Sequence, residues 1–292
     1  MLTTVIETRE LTYTYPDGTQ ALRGINIKLT AGQKIAILGS NGAGKSTLFL
    51  HLNGILRPHS GKVLFRGSEV RYHQRDLLDL RKNVGIVFQD PESQLFSASV
   101  LQDVSFGPAN LGLTNNEALA ATQEAMRQTG ITGLEGRPTH FLSYGQKKRV
   151  SIAGVLAMEP AVIIFDEPTA CLDPGMALKI MALLDEQSQQ GKAIIMSTHD
   201  VDIAYDWADY VYLLKDGGVI GEGEPQHVFL RRDWLDRCDL TCPTVIETYL
   251  ELTGSGLLPI NKPIPRNKQE LFQSIRSASP GSGPLLKTAR HG

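Results

Sequence analysis

Residues 34–47 read "KIAILGSNGAGKST". "KIAIL" is a continuous apolar run, as in a strand buried on both faces of a parallel sheet. It passes directly into a glycine-rich turn and then into a helical pattern. The segment "GSNGAGKS" (39–46) satisfies G-x-x-x-x-G-K-[ST] in full, between a strand and a helix as a phosphate cradle requires. In such a loop Gly39, Gly42 and Gly44, with Ser40, Asn41 and Ala43 between them, wrap backbone N–H groups around phosphates. Lys45 reaches the β- and γ-phosphates, and Ser46, with Thr47 beside it, supplies a hydroxyl to Mg²⁺. ATP and Mg²⁺ are therefore the expected ligands.

Working outward, residues 3–37 read as strands, "IETRELTYTY", then "ALRGINIKLT", then "KIAIL", with turns at Pro16–Gly18 and Ala31–Gly32. They predict an N-terminal antiparallel β-subdomain. "GKVLFRG" (61–67) and "NVGIVFQ" (83–89) read as further strands. From about 90 to 158 the period becomes helical. "NNEALAATQEAMRQTG" stops at Gly130, and "GQKKRVSIAGVLAM" places Val150, Ala153, Gly154 and Ala157 on one face. Strand–helix alternation then resumes through "AVIIF", "KAIIMS" and "YVYLL". The fold expected is α/β: a P-loop NTPase core with a parallel sheet, an N-terminal antiparallel β-subdomain and an inserted helical subdomain at about 90–158. The ATPase domain covers 1–225 and a small helical extension 226–253; a flexible basic tail, 254–292, is expected from its frequent Pro, Gly and Ser.

Four further places carry chemistry. "AVIIFDEP" (161–168) ends a buried strand in two acids, Asp166 to hold Mg²⁺ and Glu167 to orient or deprotonate an attacking water. "IIMSTHD" (194–200) ends another strand on His199, able to bond a γ-phosphate oxygen and that water. Gln89 ends "VGIVFQ", where an amide touches Mg²⁺ or the water. These strand ends share the edge of a parallel sheet where ligands gather. "YTYPDG" (13–18) offers an aromatic platform for adenine, with Tyr15 preferred over Tyr13.

"LSYGQ" (142–146), followed by "KKR", raises a separate question. It has the form of a phosphate site at a helix N-terminus, yet the P-loop already serves the chain's own nucleotide. The economical solution is that Ser143 and Gly145 face the nucleotide of a second copy. The ordered set of P-loop, Gln89, "LSYGQ", "FDEPT", "CLDP" and "STH" resembles the ATP-binding cassette (ABC) ATPases over about residues 3–225. That resemblance implies a head-to-tail dimer in which Ser143, Gly145 and Gln146 contact ATP in trans and Asp173 meets the partner across the seam. The usual signature is "LSGGQ"; here Tyr144 stands third, in place of the first glycine.

Within that family, residues 87–113 and "YGQKKRVSIAGVLAMEP" are similar to the energy-coupling (ECF-type) importer ATPases, most of all the cobalt-transport ATP-binding subunits. The similarity implies a sister ATPase or second copy, and integral-membrane coupling and substrate-binding subunits. It also implies a groove for a membrane partner's helix. Leu95, Phe96, Val104 and Phe106 either line that groove or pack the subdomain's own core, and Asp90 and Glu92 would pair with basic groups of the partner.

Bulk properties limit the alternatives. With 292 residues and 41% hydrophobic content a sizeable core forms, and a net charge of −2 argues against a general nucleic-acid binder. Three cysteines without dense spacing fit a reducing compartment, and Cys238 and Cys242 have no second Cys/His pair to complete a metal set. No apolar run approaches the about 20 residues of a membrane span, so the chain is expected to sit peripherally on the cytoplasmic face. A soluble cassette ATPase acting on DNA or ribosomes, and the ATPase of a binding-protein-dependent importer, are the competing readings.

Overall fold

The computed structural model describes residues 3–259 and 263–278. The chain opens with β1 (Thr4–Thr14) and β2 (Gln20–Thr30), then β3 (Lys34–Leu38) and α1 (Lys45–Leu52). Next come β4 (Ser60–Phe65), β5 (Ser68–Glu69), α2 (Gln74–Asn83) and β6 (Val84–Val87). The helices α3 (Val100–Asn110), α4 (Asn115–Gln128) and α5 (Tyr144–Leu156) follow without an intervening strand among the described residues. Alternation returns with β7 (Val162–Asp166), α6 (Pro174–Gln189), β8 (Ala193–Thr198), α7 (Val201–Trp207), β9 (Tyr210–Lys215) and β10 (Gly218–Gly223). Four helices close the described chain: α8 (Pro225–Phe229), α9 (Arg232–Arg237), α10 (Thr244–Gly254) and α11 (Lys268–Ala278).

The strands form two sheets, one antiparallel in the order β2-β1-β4-β5, the other β10-β9-β3-β8-β7-β6. In the second, β9, β3, β8, β7 and β6 are parallel and β10 is an antiparallel edge. The period of two along a strand divides its side chains between the sheet's faces. Ile35 and Ile37 of β3 join the cluster under the β-subdomain and α1, whereas Ala36 and Leu38 join the one under α3, α5 and α6. The same division holds for Val162 and Ile164 against Ile163 and Phe165 on β7. A sheet covered on both faces can place polar groups only at its ends. The carboxyl ends of β3, β7 and β8 lie side by side there.

α2 has no counterpart in the sequence reading, because only Leu80 of its ten residues is buried and no side chain caps its start. A larger correction concerns the tail. A flexible segment was expected from 254, but residues 263–278 pack onto the domain. Leu271 is 5% exposed, with Ile264 and Ile275 packed against the same cluster. Tyr205 donates its hydroxyl proton to Pro265 O at 3.0 Å. Arg266 donates to Ala208 O at 2.7 Å and Asp206 O at 3.3 Å, and lies over the Tyr205 ring. A cation on the last carbonyls of α7 is favoured by the helix dipole. The Pro, Gly and Ser content obscured the i, i+4, i+7 spacing of Leu271, Ile275 and Ala278, which marks one helix face. Lys287 and Arg290, the end of the expected basic tail, lie outside the described residues.

Burying a leucine contributes about 1.5–3 kcal/mol, so Leu271→Asp should release α11. Limited trypsin digestion is then expected to cut at Arg266, Lys268 or Arg276 well before the rest of the domain. ATP binding should not change.

Candidate active site

The P-loop lies between β3 and α1. Gly39 has φ +156°, and a Cβ there would lie 2.2 Å from Leu214 O. Gly44 has φ +100°, and its Cβ would lie 2.5 Å from Ala21 O. Both positions need glycine for the loop to close against the sheet. Lys45 is buried, with Nζ donating to Gly39 O at 2.7 Å and Ser40 O at 3.2 Å. Burial lowers its pKa, while the charges of Glu167 and Asp166 oppose that shift.

β7 delivers the two acids. Asp166 accepts from Ser46 Oγ at 2.6 Å through Oδ2 and from Ser197 Oγ at 2.5 Å through Oδ1. Ser197 in turn accepts from the Glu167 N–H at 2.9 Å. Glu167 is 7% exposed and sits at φ +47°, a left-handed conformation costing a non-glycine residue about 1–3 kcal/mol. Such strain persists where surrounding bonds enforce it, and the Ser197 bond is one of these. His199 Nδ1 lies 3.0 Å from Glu167 Oε2. The ring itself is 74% exposed, toward the cleft.

A cleft of about 750 Å³ brings most of the expected residues together: Tyr15, the loop Gly39–Thr47, Gln89, Asp166, Glu167 and His199. Tyr15 bonds Thr47 Oγ1 through its hydroxyl at 3.0 Å. Tyr13 instead packs among Tyr15, His51 and His59. Arg23 and Asp216 also line the cleft and were not anticipated. Nor was Ser197, although its place two residues before His199 puts it on the same side of the strand.

The donor set suits the expected ligands. Ser46 Oγ, an Asp166 carboxylate and the Gln89 amide are hard oxygen donors of the type Mg²⁺ takes. The glycine loop leaves backbone room for a triphosphate.

Ser143, Gly145, Gln146 and Asp173 do not line this cleft. Ser143 and Gln146 form a capping box at the start of α5: Ser143 N–H donates to Gln146 Oε1 at 3.0 Å, and Gln146 N–H to Ser143 Oγ at 3.3 Å. Asp173 caps α6, accepting from Met176 N at 2.9 Å. A Cβ on Gly145 would meet only Leu172 and Met176, both at 3.9 Å, an ordinary contact. Packing within the chain therefore does not require glycine at 145.

A second concavity, of about 340 Å³, opens between α2, α3 and α5 and is mostly apolar. Phe96 and Phe106 line it, 66% and 50% exposed, with their rings edge-to-face at 4.7 Å. The four apolar candidates thus divide. Val104 is fully buried in the subdomain core and Leu95 packs against that core. The acids are also used internally: Glu92 pairs with Lys147, and Asp90 Oδ1 accepts from Glu92 N at 3.0 Å.

The fold and this site define a P-loop ATPase, its loop, acids, histidine and glutamine gathered in one cleft. Residues 22–170 match the family described as ABC transporter. The chain is 48% identical to an energy-coupling factor transporter ATP-binding protein, EcfA, of Methanocaldococcus jannaschii, over 88% of its own length and 92% of that protein. It is 51% identical to a putative ABC transporter ATP-binding protein of Methanosarcina mazei over 87% of its length, but spans only 56% of that longer relative. Among solved structures it resembles cbiO1 of Clostridium perfringens, described as part of the ABC transporter complex cbiONQ (TM-score 0.72, 47% identity, 87% of this chain and 97% of that one). It also resembles a dimeric post-hydrolysis state of the cassette MJ0796 bound to ADP and Pi (TM-score 0.70, 27% identity, 75% of this chain and 98% of that one). The chain belongs to the ABC transporter ATP-binding family, and is an ATP-hydrolysing cassette. No helix among the described residues is long and apolar enough to cross a membrane.

Ser197→Ala should leave Asp166 with one fewer donor and the Glu167 N–H without its acceptor. The expected result is a drop of about 1–3 kcal/mol in stability. A loss of about tenfold in kcat at nearly constant KM for ATP is expected from the misplaced acids, measured by denaturant melts and steady-state hydrolysis.

Proposed function

We propose that this chain is the ATP-hydrolysing subunit of an ECF-type importer, peripheral on the cytoplasmic face of the membrane. It closes on a second copy, or on a sister ATPase, around two nucleotides. The observation that carries this reading is the division of the site. The cleft holds P-loop, acids, histidine and glutamine, while the Ser143–Gly145–Gln146 corner lies outside it and keeps a glycine that packing within the chain does not demand. A helix N-terminus with free N–H groups favours a phosphate. The partner's triphosphate is the phosphate available to it.

In this reading Tyr15 stacks on adenine, and the loop from Gly39 to Thr47 wraps the phosphates, with Lys45 turning from the loop carbonyls to the γ-phosphate. Ser46, Asp166 and Gln89 would hold Mg²⁺, whose charge neutralises the phosphate oxygens. His199 anchors Oε2 of Glu167, leaving Oε1 to take the proton of the attacking water. Asp173 meets the partner across the seam. Positioned donors of the kind at the signature corner are worth about 10²–10³ in rate.

The Phe96–Phe106 groove supports docking of a helix from an integral-membrane coupling subunit, by the helix-in-groove mode. Likeness to the cobalt-transport ATP-binding subunits favours cobalt or a related transition metal ion as the cargo, which substrate-binding membrane subunits would select. Uptake of Co²⁺, Ni²⁺ and a vitamin by vesicles carrying those subunits compares the candidates.

Gly145→Asp separates the halves of the site. An acid in the first turn of α5 is compatible with the helix dipole, so folding and nucleotide binding at the same chain's P-loop should persist. Its charge should repel a partner's γ-phosphate and abolish turnover. This variant should still co-purify from membranes with integral-membrane subunits, and Phe106→Asp should not. Full turnover by Gly145→Asp contradicts the shared site; retention of the membrane subunits by Phe106→Asp contradicts the groove.

A further inference from the structure

One face of α5 is occupied by a neighbour that packing alone does not explain. Residues 144, 147, 148 and 151 recur at the spacing of a single helix face, and all four touch the segment from β6 into the helical insert. Tyr144 donates its hydroxyl proton to Gln89 O at 3.2 Å. Lys147 pairs with Glu92. Lys148 Nζ donates to Phe88 O at 2.9 Å and to Gln89 O at 3.0 Å. The Ser151 carbonyl accepts from Gln94 Nε2 at 3.4 Å.

Lys148 is the costly member. It is fully buried, and a buried ammonium is unfavourable unless hydrogen bonds offset its desolvation. Its partners here are two main-chain carbonyls, both from the residues that carry the Gln89 side chain to the cleft. An apolar side chain would fill the same space without placing a charge there. Tyr144 adds a second donor to the same Gln89 carbonyl. Glycine, the usual residue of the signature at this position, has no side chain to do so. Burial raises the Tyr144 pKa, with Cys171, Asp90 and Glu92 acting in the same direction, so its hydroxyl stays a donor.

We infer that Tyr144 and Lys148 clasp the Phe88–Gln89 backbone and so tie this chain's Gln89 to the corner it presents to its partner. The inference rests on the reading that two chains share each nucleotide. Ser143 and Gly145 begin the same helix, one position to either side of Tyr144. Residues 88–90 lie between β6, in the ATPase sheet, and the helical insert. A shift of α5 as its N-terminus seats on a partner's triphosphate therefore moves the Gln89 carbonyl directly, and with it the amide over this chain's own ATP. The two nucleotide sites of a dimer are coupled through each chain's clasp, with Tyr144 and Lys148 as positioning residues.

The test compares wild type with Tyr144→Phe, which keeps the ring, and with Tyr144→Phe/Lys148→Met, which removes both donors and all three hydrogen bonds to the Phe88 and Gln89 carbonyls. Amide hydrogen exchange across residues 88–92 of the nucleotide-free protein should speed up about tenfold in the double variant, and less in the single one. Nucleotide affinity at the P-loop should stay within about twofold, while the Hill coefficient for ATP hydrolysis, above one in wild type, falls to about one. Unchanged exchange at 88–92 overturns the clasp. A wild-type Hill coefficient of one, or an unchanged coefficient in the double variant, overturns the coupling. If the double variant melts early, the single Tyr144→Phe variant decides on the same two readouts. Gly145→Asp run in parallel keeps the outcomes apart. Its loss of turnover with a null result for the clasp removes only this inference, and its full turnover removes the shared site itself.

Discussion

The two hydrogen bonds of Asp166 are the constraint on which the site depends. One carboxylate oxygen is held by Ser46, at the start of the P-loop helix, and the other by Ser197, at the end of β8. The carboxyl ends of β7 and β8 and the helix that follows β3 are thereby joined by a single side chain. Ser197 extends the connection to the Glu167 N–H, where the chain takes a left-handed conformation that a glutamate adopts only under compulsion. The Glu167 carboxylate is thus fixed from its backbone, and His199 fixes it again from its side chain.

The cleft at this edge is lined by the P-loop, Gln89, Asp166, Glu167 and His199, and not by Ser143, Gly145 or Gln146. In the proposed dimer the helical insert offers further donors to a partner; its helix α5 begins beside Gln89, which the Tyr144 hydroxyl reaches, while Ser143 and Gln146 cap the helix and do not line the cleft. On the proposed reading the insert is the part that moves. It meets the ATPase sheet through residues 88–90, offers a phenylalanine-lined groove on one side and presents a helix N-terminus on another. On the proposed reading, nucleotide, membrane partner and second chain all act on one small body, so a displacement imposed by one should be felt by the others.

Much of this was legible in the residues. "KIAILGSNGAGKST" specifies strand, cradle and helix together, because each residue type there answers a separate requirement of phosphate binding. "FDEP" and "STH" were readable for the same reason. The groove was half legible: apolar residues at 95, 96, 104 and 106 are equivalent in a sequence, and only the packing assigns Val104 to the core and Phe96 and Phe106 to the surface. Ser197 was passed over because a buried serine within an apolar strand has no motif of its own. Lys148 was read as part of a basic run, since a sequence does not distinguish a solvated lysine from one enclosed under a loop. The tail was misjudged by composition: Arg266 docks residues 263–278 by capping α7, a contact between residues about sixty positions apart.

The central claim is that the ATPase is complete only when two chains meet. The most direct measurement is specific ATPase activity across a dilution series, with the fraction of dimer followed in the same samples by sedimentation at saturating Mg-ATP. Activity per chain should fall in parallel with the dimer and vanish in the monomer. Constant activity per chain, extending into the range where only monomer is present, would contradict it.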